Sequence, residues 1–241
     1  MYHFDLDVGG YDRAAWRMDV KDIETQPYPT PLQIDKLIGN VPTTDKGKIS
    51  IKIPKKVVGM RELWQSIMTD FVDVVQRKDI TTIVMDSATQ LWSVCHVAYL
   101  QELQEKQIAQ GVADKDLRER ILPIEYGVPN DRMKSIVFTA RSFKKNLVLT
   151  HYPRDIYAQK LTEKGVEDYK TGEVDIDGFK QTKALVDLAI RTKVVKSTEG
   201  RDMVGEITLS GMSKDLEGMV IADPTYDKIM QRVQMVRNGR S

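Results

Sequence analysis

The sequence predicts an α/β fold: a mostly parallel sheet flanked by helices, followed by antiparallel strands near the C-terminus. Three observations lead there. The run Ile80–Met85 is almost wholly apolar or β-branched, ends in Asp86 and leads into a helical pattern, as a central parallel strand does. Asn146–Thr150 repeats the design and ends in His151. Before the first of these strands, Met60–Arg77 places Met60, Leu63, Trp64, Ile67, Met68, Phe71, Val74 and Val75 on one face at three- and four-residue spacing, so helix and strand form one α/β unit.

The chain has 241 residues, 41% apolar and 29% charged, which suffices for one sizeable core or a core with a small appendage. A net charge of +1 does not announce nucleic acid through bulk electrostatics, so only local basic patches can. The single cysteine, Cys95, excludes an intrachain disulfide and fits a reducing cytoplasm. Its apolar context suits a buried helix residue better than a nucleophile. No stretch approaches the ~18 apolar residues of a membrane span, and the N-terminus is no signal peptide.

The remaining elements are taken in order. Tyr2–Leu6 reads as a strand running into Asp5, Asp7 and a Gly9-Gly10 turn, with one of the two acids expected to face a pocket at its end. Tyr11–Met18 suits a short helix carrying Trp16, and Asp22–Asn40, with Pro27, Pro29 and Pro31, an irregular excursion. Ile49, Ile51 and Ile53 alternate within a lysine-rich stretch, Asp45–Val58, expected to be an exposed strand or hairpin. Ala88–Gly111 reads as a helix, with His96 at its surface or packed on it. Gly111–Pro129 reads as a charged mobile loop, and Asn130 or Asp131 as the cap of a third helix. Tyr152–Thr182 interleaves tyrosines with Lys and Arg, which suits a solvated hairpin or a surface that stacks and neutralises single-stranded nucleic acid. Glu173, Asp175, Asp177 and Gly178 resemble the start of a calcium loop, but Ala184 stands where its bidentate acid belongs. Val186–Lys196 and Met203–Met212 read as paired strands, Met219–Ala222 as another strand, and Thr225–Val236 as the last helix.

Asp86 at the end of its strand admits two readings: a carboxylate for Mg²⁺ bound with phosphates, or a cap for the next helix helped by Ser87 and Thr89. Its neighbours bear on the choice, because three strands end in polar residues: Asp5/Asp7, Asp86 and Thr150-His151. On FDLDVGG, TTIVMDSATQLW, YGVPNDRMKSIVFTARSFKKNLVLTH and DPTYDKI, covering about residues 2–230, the chain resembles RecA-like P-loop ATPases. The likeness is greatest to the phage nucleotide-binding branch related to single-strand annealing and recombination ATPases.

The resemblance implies a single RecA-like domain over residues 1–241, with 186–241 part of it, and ATP and Mg²⁺ as cofactors. It makes Asp86 the Walker B acid on the metal, with Ser87 and Thr150 beside the nucleotide. Asp7 falls at the carboxylate that orients the attacking water, and His151 at the polar sensor of the γ-phosphate. Single-stranded DNA, a homo-oligomer and the host cytoplasm of a phage-encoded protein are further expectations. One departure is large: G-x-x-x-x-G-K-S/T, whose amides cradle phosphates, is absent. The nearest candidate, Gly47-Lys48-Ile49-Ser50, has Pro42 at the first glycine's place and no hydroxyl beside the lysine. The expectation is therefore a chain lacking its first strand and P-loop, inactive as written, with a degenerate DNA- or protein-binding module as the alternative.

Overall fold

Strand β1 (Tyr2–Asp5) lies at the middle of the sheet, and the reason is visible in its side chains. Phe4 is fully buried, and Tyr2, His3 and Asp5 are nearly so. In this computed structural model residues 1–15, 22–31, 42–45, 48–51, 56–162, 165–197 and 200–239 are described. They form two compact units, Met1–Phe179 and Lys180–Ser241.

In the first unit, β1 is followed by a short helix α1 (Gly10–Ala15) and by β2 (Glu24–Pro27), which pairs with β1 in parallel. The strands β3 (Pro42–Asp45) and β4 (Lys48–Ile51) make a separate antiparallel pair. Helix α2 (Met60–Gln76) leads to β5 (Thr82–Asp86), and helices α3 (Ala88–Ala109) and α4 (Gly127–Ser142) lead to β6 (Asn146–Leu149). The four parallel strands run in the order β2–β1–β5–β6. Register places Phe4 opposite Met85 and Asp5 opposite Asp86. Alternation therefore gives one face to Tyr2, Phe4, Ile83 and Met85, where the Phe71 ring of α2 lies 6.5 Å from Phe4. Helix α3 packs on α2, and α4 on α3.

Buried Gln101 of α3 holds the start of α2. Its Oε1 accepts from the Met60 and Arg61 amides at 2.9 and 3.0 Å, where the N-cap residue Gly59 has no side chain to offer.

Several sequence expectations change here. Glu24–Pro27 is a strand inside the stretch expected to be irregular. Its Pro27 sits at the end of an edge strand, where the missing N–H costs no ladder bond. The loop before α4 is anchored by buried Leu117 and Ile121 and contains two 3₁₀ turns, the second of which runs straight into α4. The helix thus begins at Gly127, ahead of the Asn130 or Asp131 expected to cap it, and Pro129 is tolerated in its first turn because those N–H groups have no helical partner. Trp16 and Gly47 lie outside the described residues, as do the side chains of the Ile49–Ile53 stretch.

A long antiparallel ribbon, β7 (Pro153–Thr162) and β8 (Gly165–Ile176), completes the first unit. The second unit begins with a short helix α5 (Thr182–Leu185). It contains β9 (Leu188–Ser197), β10 (Gly200–Ser210) and β11 (Val220–Ala222) in the antiparallel order β11–β10–β9, with helix α6 (Tyr226–Arg237) capped by Thr225. Ile207, Leu216, Ile221 and Val233 make its core. Among the described residues no helix is long and apolar enough to cross a membrane.

Gly205 of β10 lets Pro224 close over the sheet: a Cβ there would lie 2.8 Å from Pro224 Cβ and 3.1 Å from Ile190. Gly205→Ala is expected to destabilise this unit by about 1–3 kcal/mol, read as a lowered urea midpoint. An unchanged midpoint would show that the contact relaxes without cost.

Candidate functional site

The carboxyl ends of β1, β5 and β6 bring the sequence-predicted side chains together. Asp86 ends β5 and is partly buried, and the Thr150 hydroxyl donates to its Oδ1 at 2.5 Å. His3 Nε2 lies 3.4 Å from Asp86 Oδ2. The His3 hydrogen bond, with that of Thr150, holds the Asp86 carboxyl below its ordinary 3.8 against the opposing effect of burial. The reading of Asp86 as a helix cap is not what the chain does. Ser87 caps α3, its Oγ accepting from the Gln90 amide at 3.3 Å. The Asp86–Ser87 peptide is cis.

The Ser87 hydroxyl also reaches across to the end of β1, donating to Asp7 Oδ1 at 3.2 Å. The Tyr152 phenol donates to the other oxygen, Asp7 Oδ2. Asp5 acts differently. Its Oδ2 accepts from the Gly9 amide at 2.9 Å and ties down the turn that carries Asp7. Of the two acids only Asp7 meets the hydroxyls, because β1 ends at Asp5 and the turn re-aims the residues after it.

His151 lies beside this cluster but faces elsewhere. Its Nδ1 is 3.0 Å from the Asp177 carbonyl oxygen, which only accepts, so the ring proton is on Nδ1 and Nε2 carries the lone pair. Burial pushes the His151 pKa below its ordinary 6.5, which leaves the ring neutral at neutral pH. Three buried atoms around the site have no hydrogen-bond partner among the described residues: His3 Nδ1, Asp5 Oδ1 and His151 Nε2.

Sequence reasoning misses three participants. His3 gives no signal beyond its place two residues before Asp5. Tyr152 is, in the sequence, only one ring among several in the ribbon. Thr89 reads there as a capping helper, whereas its Oγ1 donates to the Asp177 carbonyl at 2.7 Å and accepts from the Tyr152 amide at 3.1 Å. Cys95 is fully buried and its thiol is pushed up to about 12 by burial, which removes it as a nucleophile. His96 is engaged locally, with Nδ1 3.1 Å from the Trp92 carbonyl oxygen.

Among the described residues no group of three or more His, Cys, Asp or Glu side chains is placed to hold a metal ion. Comparisons with protein-family models, curated proteins and solved structures found no match to this chain.

The depressed Asp86 carboxyl contributes stability that is present above the ordinary 3.8 and is lost as pH falls through its lower folded value. Thr150→Val removes one of the donors responsible. It is expected to cost on the order of 1–2 kcal/mol near neutral pH and less well below 3.8, measured by urea unfolding at both. An equal cost at both would separate the hydroxyl from the Asp86 charge.

Proposed function

We propose that the first unit is the core of a RecA-like nucleoside-triphosphate-binding protein whose phosphate site is the crevice beyond β1 and β5. The observation that carries this is topological. The chain leaves β1 for β2 on one side and returns past β1 to β5 and β6 on the other. In open α/β sheets ligands bind at such a switch point, outside the carboxyl ends of the strands. Asp7, Asp86 and Ser87 stand there.

The donor set suits Mg²⁺. That ion takes one or two carboxylates and fills its other positions with water and substrate phosphates, so a protein cage is not needed. Asp86 is the carboxylate of this reading, oriented by Thr150 and His3. Bound Mg²⁺ supplies charge neutralisation of the phosphates. Asp7 accepts hydrogen bonds on both oxygens and serves as the base that orients water. The hydroxyls of Ser87 and Thr150 lie on the phosphate side. His151 reads a γ-phosphate by donation only after a second proton reaches Nε2, a step its burial opposes.

Single-stranded DNA and a setting in phage recombination or annealing rest on the sequence resemblance. The ribbon offers rings with cations over them: Lys160 lies 5.8 Å from the Tyr169 ring centre and Lys170 5.9 Å from that of Tyr157. Its charge points the other way. Between residues 153 and 176, Arg154, Lys160, Lys164 and Lys170 are outnumbered by Asp155, Glu163, Glu167, Asp168, Glu173 and Asp175, a balance of 4 − 6 = −2. Any DNA contact there rests on stacking, with a shallow salt dependence.

The reading needs a phosphate cradle, and G-x-x-x-x-G-K-S/T does not occur among the 241 residues. The test therefore titrates ATP with Mg²⁺ into this chain and into the chain extended by whatever its reading frame encodes ahead of Met1. In whichever form binds, Asp86→Ala is expected to weaken binding by roughly tenfold or more. Asp7→Ala should leave binding nearly intact while slowing hydrolysis about 100-fold. Failure of both forms to bind, or binding indifferent to Asp86→Ala, would sink the proposal.

A further inference from the structure

Both ends of the β7–β8 ribbon are fastened to the candidate site, and to the same few atoms of it. At the entry, the Tyr152 amide donates to Thr89 Oγ1 and the Tyr152 phenol to Asp7. At the exit, the Asp177 amide donates to the Tyr152 carbonyl at 2.8 Å, and the Asp177 carbonyl accepts from Thr89 and His151. Gly178 then passes so close to α3 that a Cβ there would lie 3.2 Å from Thr89 Cα. Away from this root the ribbon stands in solvent, with Tyr157, Leu161 and Val166 exposed by 57%, 85% and 63%.

One root contact differs from the rest. The others join the ribbon to α3, to His151 just ahead of it or to itself, whereas the phenol reaches across to the turn after β1 and takes the Asp7 oxygen that Ser87 leaves free. Tyr152 is an exposed side chain, so it has room to let go. Any group that claims Asp7 competes with it directly.

We propose that the Tyr152–Asp7 bond is a latch. Tyr152 is a positioning residue that fixes the Asp7 carboxylate, and a nucleotide whose phosphate-bound water claims Asp7 releases the entry strand of the ribbon. The trigger rests on the nucleotide reading above; the latch rests on the geometry alone. Coupling of this kind is reciprocal: a partner that draws the ribbon from its root changes nucleotide affinity by the factor by which nucleotide changes the partner's.

The Tyr152 phenol gives the readout, since hydrogen bonding to Asp7 raises its pKa above the ordinary 10.0. In the full chain carrying ¹³Cζ-labelled tyrosine, the Tyr152 signal is assigned with Tyr152→Phe and titrated in the native and Asp7→Ala proteins. Asp7→Ala is expected to lower that pKa, because the carboxylate that holds the phenol proton is gone. Asp7→Ala and Tyr152→Phe are each expected to speed amide exchange at Asp177 by roughly tenfold, while β5 amides keep their rates. An unmoved Tyr152 titration, or unchanged Asp177 exchange in both variants, overturns the latch whatever the nucleotide does. Adding Mg²⁺ with the non-hydrolysable analogue AMPPNP, to the form that calorimetry shows to bind it, should move the Tyr152 titration to its Asp7→Ala position. Binding without that movement overturns the trigger. No binding by either form overturns the trigger together with the nucleotide reading, and the first comparison still decides the latch.

Discussion

The parallel pairing of β1 with β5 is the constraint on which the rest of the first unit depends. It sets Asp5 beside Asp86, continues one step further through the Leu6 amide, which donates to the Asp86 carbonyl at 2.6 Å, and closes the hydrophobic face formed by Phe4 and Met85. A slip of one residue would exchange the two faces of β1, placing His3 and Asp5 against the helices and Phe4 at the polar face. The hydrophobic side of the strand therefore fixes the position of the polar side. The carboxylates at the strand ends owe their placement to a packing requirement they take no part in.

That placement carries a cost. His3 Nδ1, Asp5 Oδ1 and His151 Nε2 are buried without partners among the described residues, and each unmet group costs roughly 1–3 kcal/mol. Buried polar atoms of this sort are few in a folded protein, and here three lie on β1 or just after β6. A sheet edge optimised for stability alone would pair them or replace them with apolar side chains.

Most of the architecture is legible in the sequence because its signals are local. The periodicity of Met60–Arg77 and the apolar runs before Asp86 and His151 each specify an element without reference to the rest of the chain. Glu24–Pro27 is illegible for the opposite reason: ETQP has no apolar pattern, and it is a strand only because β1 offers an open edge. The site divides in the same way. Asp86, Asp7, Ser87 and Thr150 announce themselves as polar residues at strand ends. Thr89 and Tyr152 act through contacts made by a ribbon whose return to the site at Asp177 no local pattern encodes.

The capping of α2 by Gln101 bears on how this unit comes into being. A helix that supplies its own N-cap can form its first turn alone, whereas α2 begins after a glycine and takes two of its leading hydrogen bonds from a residue some forty positions later in the chain. Its first turn is complete only once α3 has been made and has docked, by which point β5, lying between them in sequence, has already been synthesised. The start of α2 is thereby consolidated together with α3, so the order of synthesis and the order of consolidation run in opposite directions there.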